Sequence, residues 1–582
     1  MKRFWHRAWR VLKPVLEVAA ALVVLAVLIV LPLLKGATPQ VKNSLSGFAE
    51  SPLANTGPLV GDLNAIPKEV ACMKSYAADP ANNMVNYPPV IGAPEHTDSI
   101  HTGVYPCATW TGDSKGPNQV LRYKSETNYP GGIVFVTFGG PNDAYLIAGS
   151  SGLEVYSPGP YVSKFNPSTG REIWRQPLLN INVNGQWNPA PSMAVGKDGV
   201  YAAYGPHVYR LDPVSGAILA HEEVPMLDGP QTDANFDGFH IVPDAQGHIL
   251  IKTQNRVPGC RTYGNFALGA CPGAPDANPK TTIAVLDPVS LAVVDEIKLS
   301  QAIVARTIVT TYKGKIYAYL SGTKTLTRVL WDPETKKLTE DTSWAPAYLL
   351  DGQGPGAAPA AVGKWIIANA NANPSKTVPI CAFAVSQDDP NVSSRLCPWG
   401  TKMPVRGASE SVTLASFSTD PENSLIFMQD WLVPGIWAVH IDQTTGKMTV
   451  KWQRDDITMG DYFATIGPAG QRVLLTQNVL DNTPAKAFAE DSNYQETLMW
   501  LDEKTGKTLA QGDATPATTS GSLINIGYGG RVYMMGTQGS LFIYQVAACN
   551  GGVYIPKSIG GSTCPSTSSP SPSPPSSPSP SS

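Results

Sequence analysis

Charge is scarce in this sequence. Asp, Glu, Lys and Arg make up 15% of its 582 residues and the formal net charge is −3, where soluble domains carry roughly 25% charged residues. A chain this close to neutral has no basic field with which to gather a nucleic acid. Adjacent cysteines, Cys-x-x-Cys and Cys-x-x-Cys-His are all missing, which removes a thiol redox site, a zinc ribbon and an attached haem. Gly-x-Ser-x-Gly and His-Glu-x-x-His are missing too, and Gly352-Gln-Gly354-Pro-Gly356 fails the dinucleotide pattern. The usual signatures of serine hydrolases, zinc proteases and dinucleotide enzymes are therefore absent.

Long apolar runs are absent with one exception. Lys2, Arg3, Arg7, Arg10 and Lys13 precede a run from Val15 to Leu34 that is broken only by Glu17 and Pro32. The run is just long enough to span a bilayer, and its basic flank places the N-terminus in the cytoplasm. Residues 1–14 are thus expected as a cytoplasmic segment and 15–34 as a transmembrane signal anchor. Everything after would be extracytoplasmic, in a single-pass protein of the cell membrane. The alternative, a cleaved signal peptide, lacks a small-x-small site after Lys35. All eight cysteines (Cys72, Cys107, Cys260, Cys271, Cys381, Cys397, Cys549 and Cys564) lie beyond the anchor. An even number suits disulfides in an oxidising compartment, with pairing between sequence neighbours preferred among about 105 connectivities.

Gly and Pro, by contrast, are plentiful, at 53 and 52 residues, as many strands joined by tight turns require. One turn recurs. Leu211-Asp212-Pro-Val-Ser-Gly216 separates two apolar runs, and its copies stand at Asn166 to Gly170, Asp442 to Gly446 and Asp502 to Gly506. Degenerate copies without the glycine begin at Asp287 and Asp332, and a further copy lies near Asp388. The Asp or Asn side chain can accept from the backbone two residues on, and the glycine can take the left-handed conformation that closes a hairpin. Successive copies fall 45 to 75 residues apart, which suits four-stranded propeller blades with insertions. Eight paired apolar stretches precede these turns, from Gly132 to Ala148 through Ser411 to Met428 to Ser522 to Met535. The expected fold is all-β: an eight-bladed β-propeller, with seven blades as the alternative, preceded by one N-terminal transmembrane helix. The propeller is placed at 119–556, an irregular extracytoplasmic stalk at 35–118, and a Pro/Ser-rich disordered tail at 557–582. Gln119 to Lys124 is expected to close the ring beside Leu541 to Val546, with Gly552 to Ile555 as its competitor.

The repeated turn, followed by Trp174 and Trp452 on outer strands, resembles the pyrroloquinoline-quinone-like repeat of the quinoprotein alcohol dehydrogenase-like propellers, over about residues 119–546. That resemblance implies the fold. Enzymes of the family hold the quinone with calcium, and many have adjacent cysteines beside it. Lacking that pair, the chain is not expected to bind the quinone.

Chemistry in a propeller is expected where loops lead into the innermost strands. The residues there are Asn188, Asp237, Arg306, Gln353, Glu410, Asp461 and Ser520. Asp237, Glu410, Asp461 and Arg306 are the catalytic candidates, since converging carboxylates would have shifted pKa values. Asp233-Ala-Asn235-Phe-Asp237-Gly238, with Asp244 at the twelfth position, matches a calcium loop apart from its final residue; the bland reading is a turn rich in Asp and Asn. Glu95-His96-x-Asp98-x-x-His101 contains metal-ligand types, but on a loop it reads as solvated polar residues. The function expected from all this is a binding or scaffold module tethered in the cell envelope, with a protein or polymer partner. The alternative is a quinoprotein-type dehydrogenase, or a lyase or hydrolase of envelope sugars.

Overall fold

The structure, a computed structural model, describes residues 61–549 and 560–561, except 95, 131–132, 152–153, 156–158, 180–190, 229–235, 254–278, 357, 373–378, 401–416, 431–432, 459–462, 481–493, 518–523 and 537–538. Eight antiparallel sheets follow one another as eight blades, which sets the seven-bladed alternative aside. Blade 1 is Ile133–Gly140, Asp143–Ala148, Tyr161–Phe165 and Glu172–Pro177 in that order. Blades 2 to 7 repeat the meander over 192–223, 236–298, 303–340, 353–396, 418–454 and 464–511. We call the end of the ring where the inner strands begin the front, and the end where they finish the back.

Blade 8 takes its outer strand from the other end of the chain. Asn118–Lys124 pairs antiparallel with Leu541–Ala548, from Asn118 opposite Ala548 to Lys124 opposite Phe542. The expected competitor, Gly552 to Ile555, lies outside the described residues. Seven of the eight expected inner hairpins coincide with described strands. In blade 6 the described inner strand is Ser418–Asp420, directly after the expected Ser411 to Phe417.

The core lies between blades. Each smaller apolar cluster draws on two neighbours; one joins Tyr145, Ile147 and Trp174 of blade 1 to Val195, Val200 and Tyr209 of blade 2. Burying both faces of every sheet explains why the inner strands read as continuous apolar runs rather than alternating ones.

The recurrent turn joins the third and fourth strands of a blade. At Asp212, Oδ1 accepts from Val214 N (3.0 Å), Ser215 N (2.6 Å) and Ser215 Oγ (2.8 Å), and Gly216 N donates to Asp212 O (2.9 Å). The turn is also a socket for the preceding blade. Its second residue offers a carbonyl to an aromatic donor: Tyr533 to Pro167 (2.6 Å), Tyr145 to Pro213 (3.2 Å), Tyr201 to Pro288 (2.9 Å), Trp365 to Gln443 (3.2 Å) and Trp452 to Glu503 (2.8 Å). Trp174 and Trp452 pack over Gly216 and Gly506, where an added Cβ would come within 2.7 Å of the indole. The glycine is thus needed for its positive φ, +76° and +70° respectively, and for the close approach of the ring.

From Gly61 onward the segment expected as an irregular stalk is packed onto the ring. Helix α1, Ile66–Ala77, lies at the back of blade 8, where Glu69 accepts from Gly529 N (2.7 Å) and Thr109 N (2.9 Å). Disulfide Cys72–Cys107 ties α1 to the chain that follows, and Cys381–Cys397 staples blade 5. Cys549 is also disulfide-bonded, whereas Cys260, Cys271 and Cys564 lie outside the described residues. So do the apolar run 15–34 and the tail 562–582; among the described residues no helix is long and apolar enough to cross a membrane.

Candidate functional site in the central channel

Residues 87–105 circle the inside of the ring at its back. Ile91 N donates to the Tyr528 hydroxyl of blade 8 (3.2 Å). Gly92 O and Ala93 O accept from Phe138 N of blade 1 (3.1 Å) and Val195 N of blade 2 (2.9 Å). Tyr87 Oη accepts from Ile241 N of blade 3 (2.9 Å), and Ser99 O from Val309 N of blade 4 (2.7 Å). Ile100 packs in one cluster with Ala361 of blade 5. Thr102 O and Gly103 O accept from Thr419 N of blade 6 (2.9 Å) and Thr465 N of blade 7 (2.8 Å). The segment has no sustained sequence period because its backbone carbonyls accept from strands of five different blades and not from one partner strand. His96, Thr97 and His101 hold positive φ of 54°, 83° and 57°, conformations that persist only where surrounding contacts impose them.

This strap carries the His96-x-Asp98-x-x-His101 cluster into the channel. The expectation of solvated side chains is corrected for Asp98 and His101, which are 2% and 3% exposed because the inner strands pack around them; His96 is half-buried and Glu95 lies outside the described residues. Asp98 Oδ1 accepts from Ile100 N (3.0 Å) and Thr102 N (3.1 Å), and its other oxygen from the Thr102 hydroxyl. Burial pushes the Asp98 carboxyl up to about 6 against these bonds. The His101 ring stands between His96 (centroids 4.8 Å apart) and His240 of blade 3 (5.1 Å). Burial, then the neighbouring His96, His240 and Arg306, hold His101 well below the ordinary histidine range, so it is neutral near pH 7. Its Nδ1 has no hydrogen-bond partner among the described residues. His240 Nε2 lies 2.7 Å from Thr307 O and therefore bears a proton.

Of the residues expected in this ring, Arg306 is in the channel, its guanidinium 4.7 Å over the Phe135 ring of blade 1. Gln353 instead closes its own loop, donating to Pro379 O (2.7 Å) and accepting from Leu350 N (2.7 Å). Asn188, Glu410, Asp461 and Ser520 lie outside the described residues. Asp237 is placed in the strand Phe236–Ile241, opposite Lys252. Of the expected calcium loop, Asp233 and Asn235 also lie outside. Asp244 is buried, with Oδ2 on His248 Nδ1 (2.7 Å) and Trp331 Nε1 (2.8 Å), and Oδ1 on three backbone N–H groups led by Gly247 N (2.7 Å). His240 was missed in the sequence; it lies far from His96 along the chain, and no local pattern links them.

Quinone enzymes of this fold imply calcium, which takes six to eight oxygen ligands. The described channel donors are imidazoles and a guanidinium, and both Asp98 oxygens are engaged. They do not fit that ion, and no chemistry is derived through it.

The described fold is an eight-bladed β-propeller whose channel is crossed at the back by the chain's own strap. No protein-family model matches the sequence, and no curated protein matches it. Among solved structures it is similar to the quinohemoprotein alcohol dehydrogenase of Comamonas testosteroni, at 12% identity and a TM-score of 0.50 over 82% of this chain and 84% of that one. Similar too are a quinohemoprotein alcohol dehydrogenase of Pseudomonas putida HK5 (11% identity, TM-score 0.35, 82% and 81% covered) and BamB of Moraxella catarrhalis (12% identity, TM-score 0.28, 75% and 94% covered). At such identities the likeness concerns the fold.

Proposed function

We propose that this protein is a membrane-tethered extracytoplasmic propeller that acts as a binding or scaffold module of the cell envelope, taking a polar group of a protein or polymer partner into the front of its channel. The observation that carries this reading is the strap: its described residues close the back of the channel with the chain's own backbone and bring His96 and His101 into the interior beside Arg306 of blade 4. A channel closed in this way favours recognition at one rim over passage through the ring. Export is supported by the two described disulfides, which persist in oxidising compartments, and by the basic, then apolar N-terminus.

The test is thermal unfolding of the full chain in detergent, with calcium, pyrroloquinoline quinone, or both at saturation. A ligand of the folded state must raise the midpoint. The binding-module reading expects no shift with any of the three. A rise with the quinone overturns it in favour of a quinoprotein-type dehydrogenase.

A further inference from the structure

Blade 2 holds a pair of histidines away from the channel. His207 opens the strand His207–Leu211, and His221 and Glu223 lie on the outer strand Ile218–Glu223. The register sets Glu223 opposite His207 and His221 opposite Tyr209, so the four side chains share one face of the sheet. His207 Nδ1 and His221 Nε2 are 3.1 Å apart. Tyr209 fixes the His221 ring by stacking at 4.6 Å with an interplanar angle of 9°, and Leu179 N donates to the Tyr209 hydroxyl (3.2 Å). His207 is buried, while His221 and Glu223 are exposed. The group lies at the front end of the blade, where the second strand turns into the third and the outer strand finishes.

We propose that His207 Nδ1, His221 Nε2 and the Glu223 carboxylate bind a divalent transition-metal ion of the imidazole-preferring kind, Cu2+, Ni2+ or Zn2+. Two nitrogens 3.1 Å apart, each about 2.0–2.1 Å from one ion, subtend roughly 100° at it. That angle lies between the right angle of tetragonal Cu2+ or Ni2+ and the tetrahedral angle of Zn2+. In the metal-free form one of these nitrogens donates its proton to the other; on binding, the donating ring carries that proton on its other nitrogen instead, so that both facing nitrogens offer lone pairs to the ion. No three His, Cys, Asp or Glu side chains among the described residues converge on a metal as they stand. Here two nitrogens are already in place, and the third arm is an exposed glutamate directly across the ladder that needs only side-chain rotation. Water completes the coordination. Neither a calcium-type oxygen cage nor the channel is involved, so the site stands independently of the proposed function.

Cu2+ is the probe, being bound most tightly in this series. Tag-free full-length protein is titrated calorimetrically with Cu2+, and the bound ion is examined by electron paramagnetic resonance. Expected are coupling to two imidazole nitrogens and a loss of affinity of roughly tenfold or more in His221→Ala, a difference above about 1.4 kcal/mol. Glu223→Gln should weaken binding less. Glu223 is exposed, so the metal-free thermal midpoint of Glu223→Gln should not move, and a cooperative metal-free transition in His221→Ala separates ligand loss from misfolding. Undiminished Cu2+ affinity in His221→Ala, or a spectrum unchanged by that substitution, overturns the proposal and assigns the copper to other histidines; absence of binding overturns it outright.

Discussion

At Leu291 and Lys336 the residue itself takes the strain that glycine avoids elsewhere. Both stand where Gly216 stands in the intact turn, and both hold positive φ, 64° and 55°. Leu291 is fully buried, so apolar burial of about 1.5–3 kcal/mol offsets a left-handed cost of about 1–2. Lys336 is exposed and has no such return. Lys336→Gly should therefore raise stability by up to about 1 kcal/mol in chemical denaturation. Gly506→Ala, with its Cβ driven against Trp452, should lower it by roughly 1–3 kcal/mol. A third residue sets a pH dependence. Glu503, one residue into a recurrent turn, is 1% exposed; burial, then the carboxylate of Asp420, raises it to about 8. A carboxyl whose folded pKa lies above its unfolded value binds protons more tightly in the native state, so it costs stability as pH rises. The unfolding free energy should fall between about pH 4.5 and 8, and Glu503→Gln should flatten that slope.

Among the elements, the strap is the least legible in sequence. Helix, strand and turn rules read local periodicity, and the strap has none because its backbone bonds go to strands of five different blades. The recurrent turn shows the opposite. Its Asp, Thr or Ser, and Gly act within five residues, so its geometry and the docking of Trp174 and Trp452 were legible, although the tyrosine and tryptophan bonds into its second carbonyl were not. Cys72–Cys107 closes a loop with a sequence separation of 35 around the strap, and a loop of that size adds about 3–4 kcal/mol in the chain-entropy account. Cys72→Ser with Cys107→Ser should lose about that much. The amides of Phe138, Val195, Thr419 and Thr465, which donate to the strap, should then exchange faster than the rest of their strands. Blades 6 and 7 are clasped by Arg472, which meets Asp420 at 2.7 Å with both side chains almost fully buried, and also pairs with Glu422. Arg472→Met should cost about 3–5 kcal/mol by leaving a buried carboxylate without its cation.

Over the whole molecule, stability depends on closing the ring. The strand 118–124 joins residues more than four hundred positions away, and without it the edge of blade 8 is unpaired. Val120 is fully buried in that strand. Val120→Asp should cost about 3 kcal/mol or more, with limited proteolysis then cutting near both 118–124 and 541–548. The sequence by itself determined the recurrent turn and the all-β repeat, and it proposed eight blades closed by Gln119 to Lys124, because these rest on contacts within a blade or on chain ends with few possible partners; the eight sheets and the pairing of 118–124 decided between those readings and their alternatives. Tertiary structure alone decided that the supposed stalk lines the channel, that His101 meets His240, and that His207 meets His221. Those juxtapositions come from strands curling into a ring or lying side by side in a sheet, and neither leaves a trace in the spacing of residues along the chain.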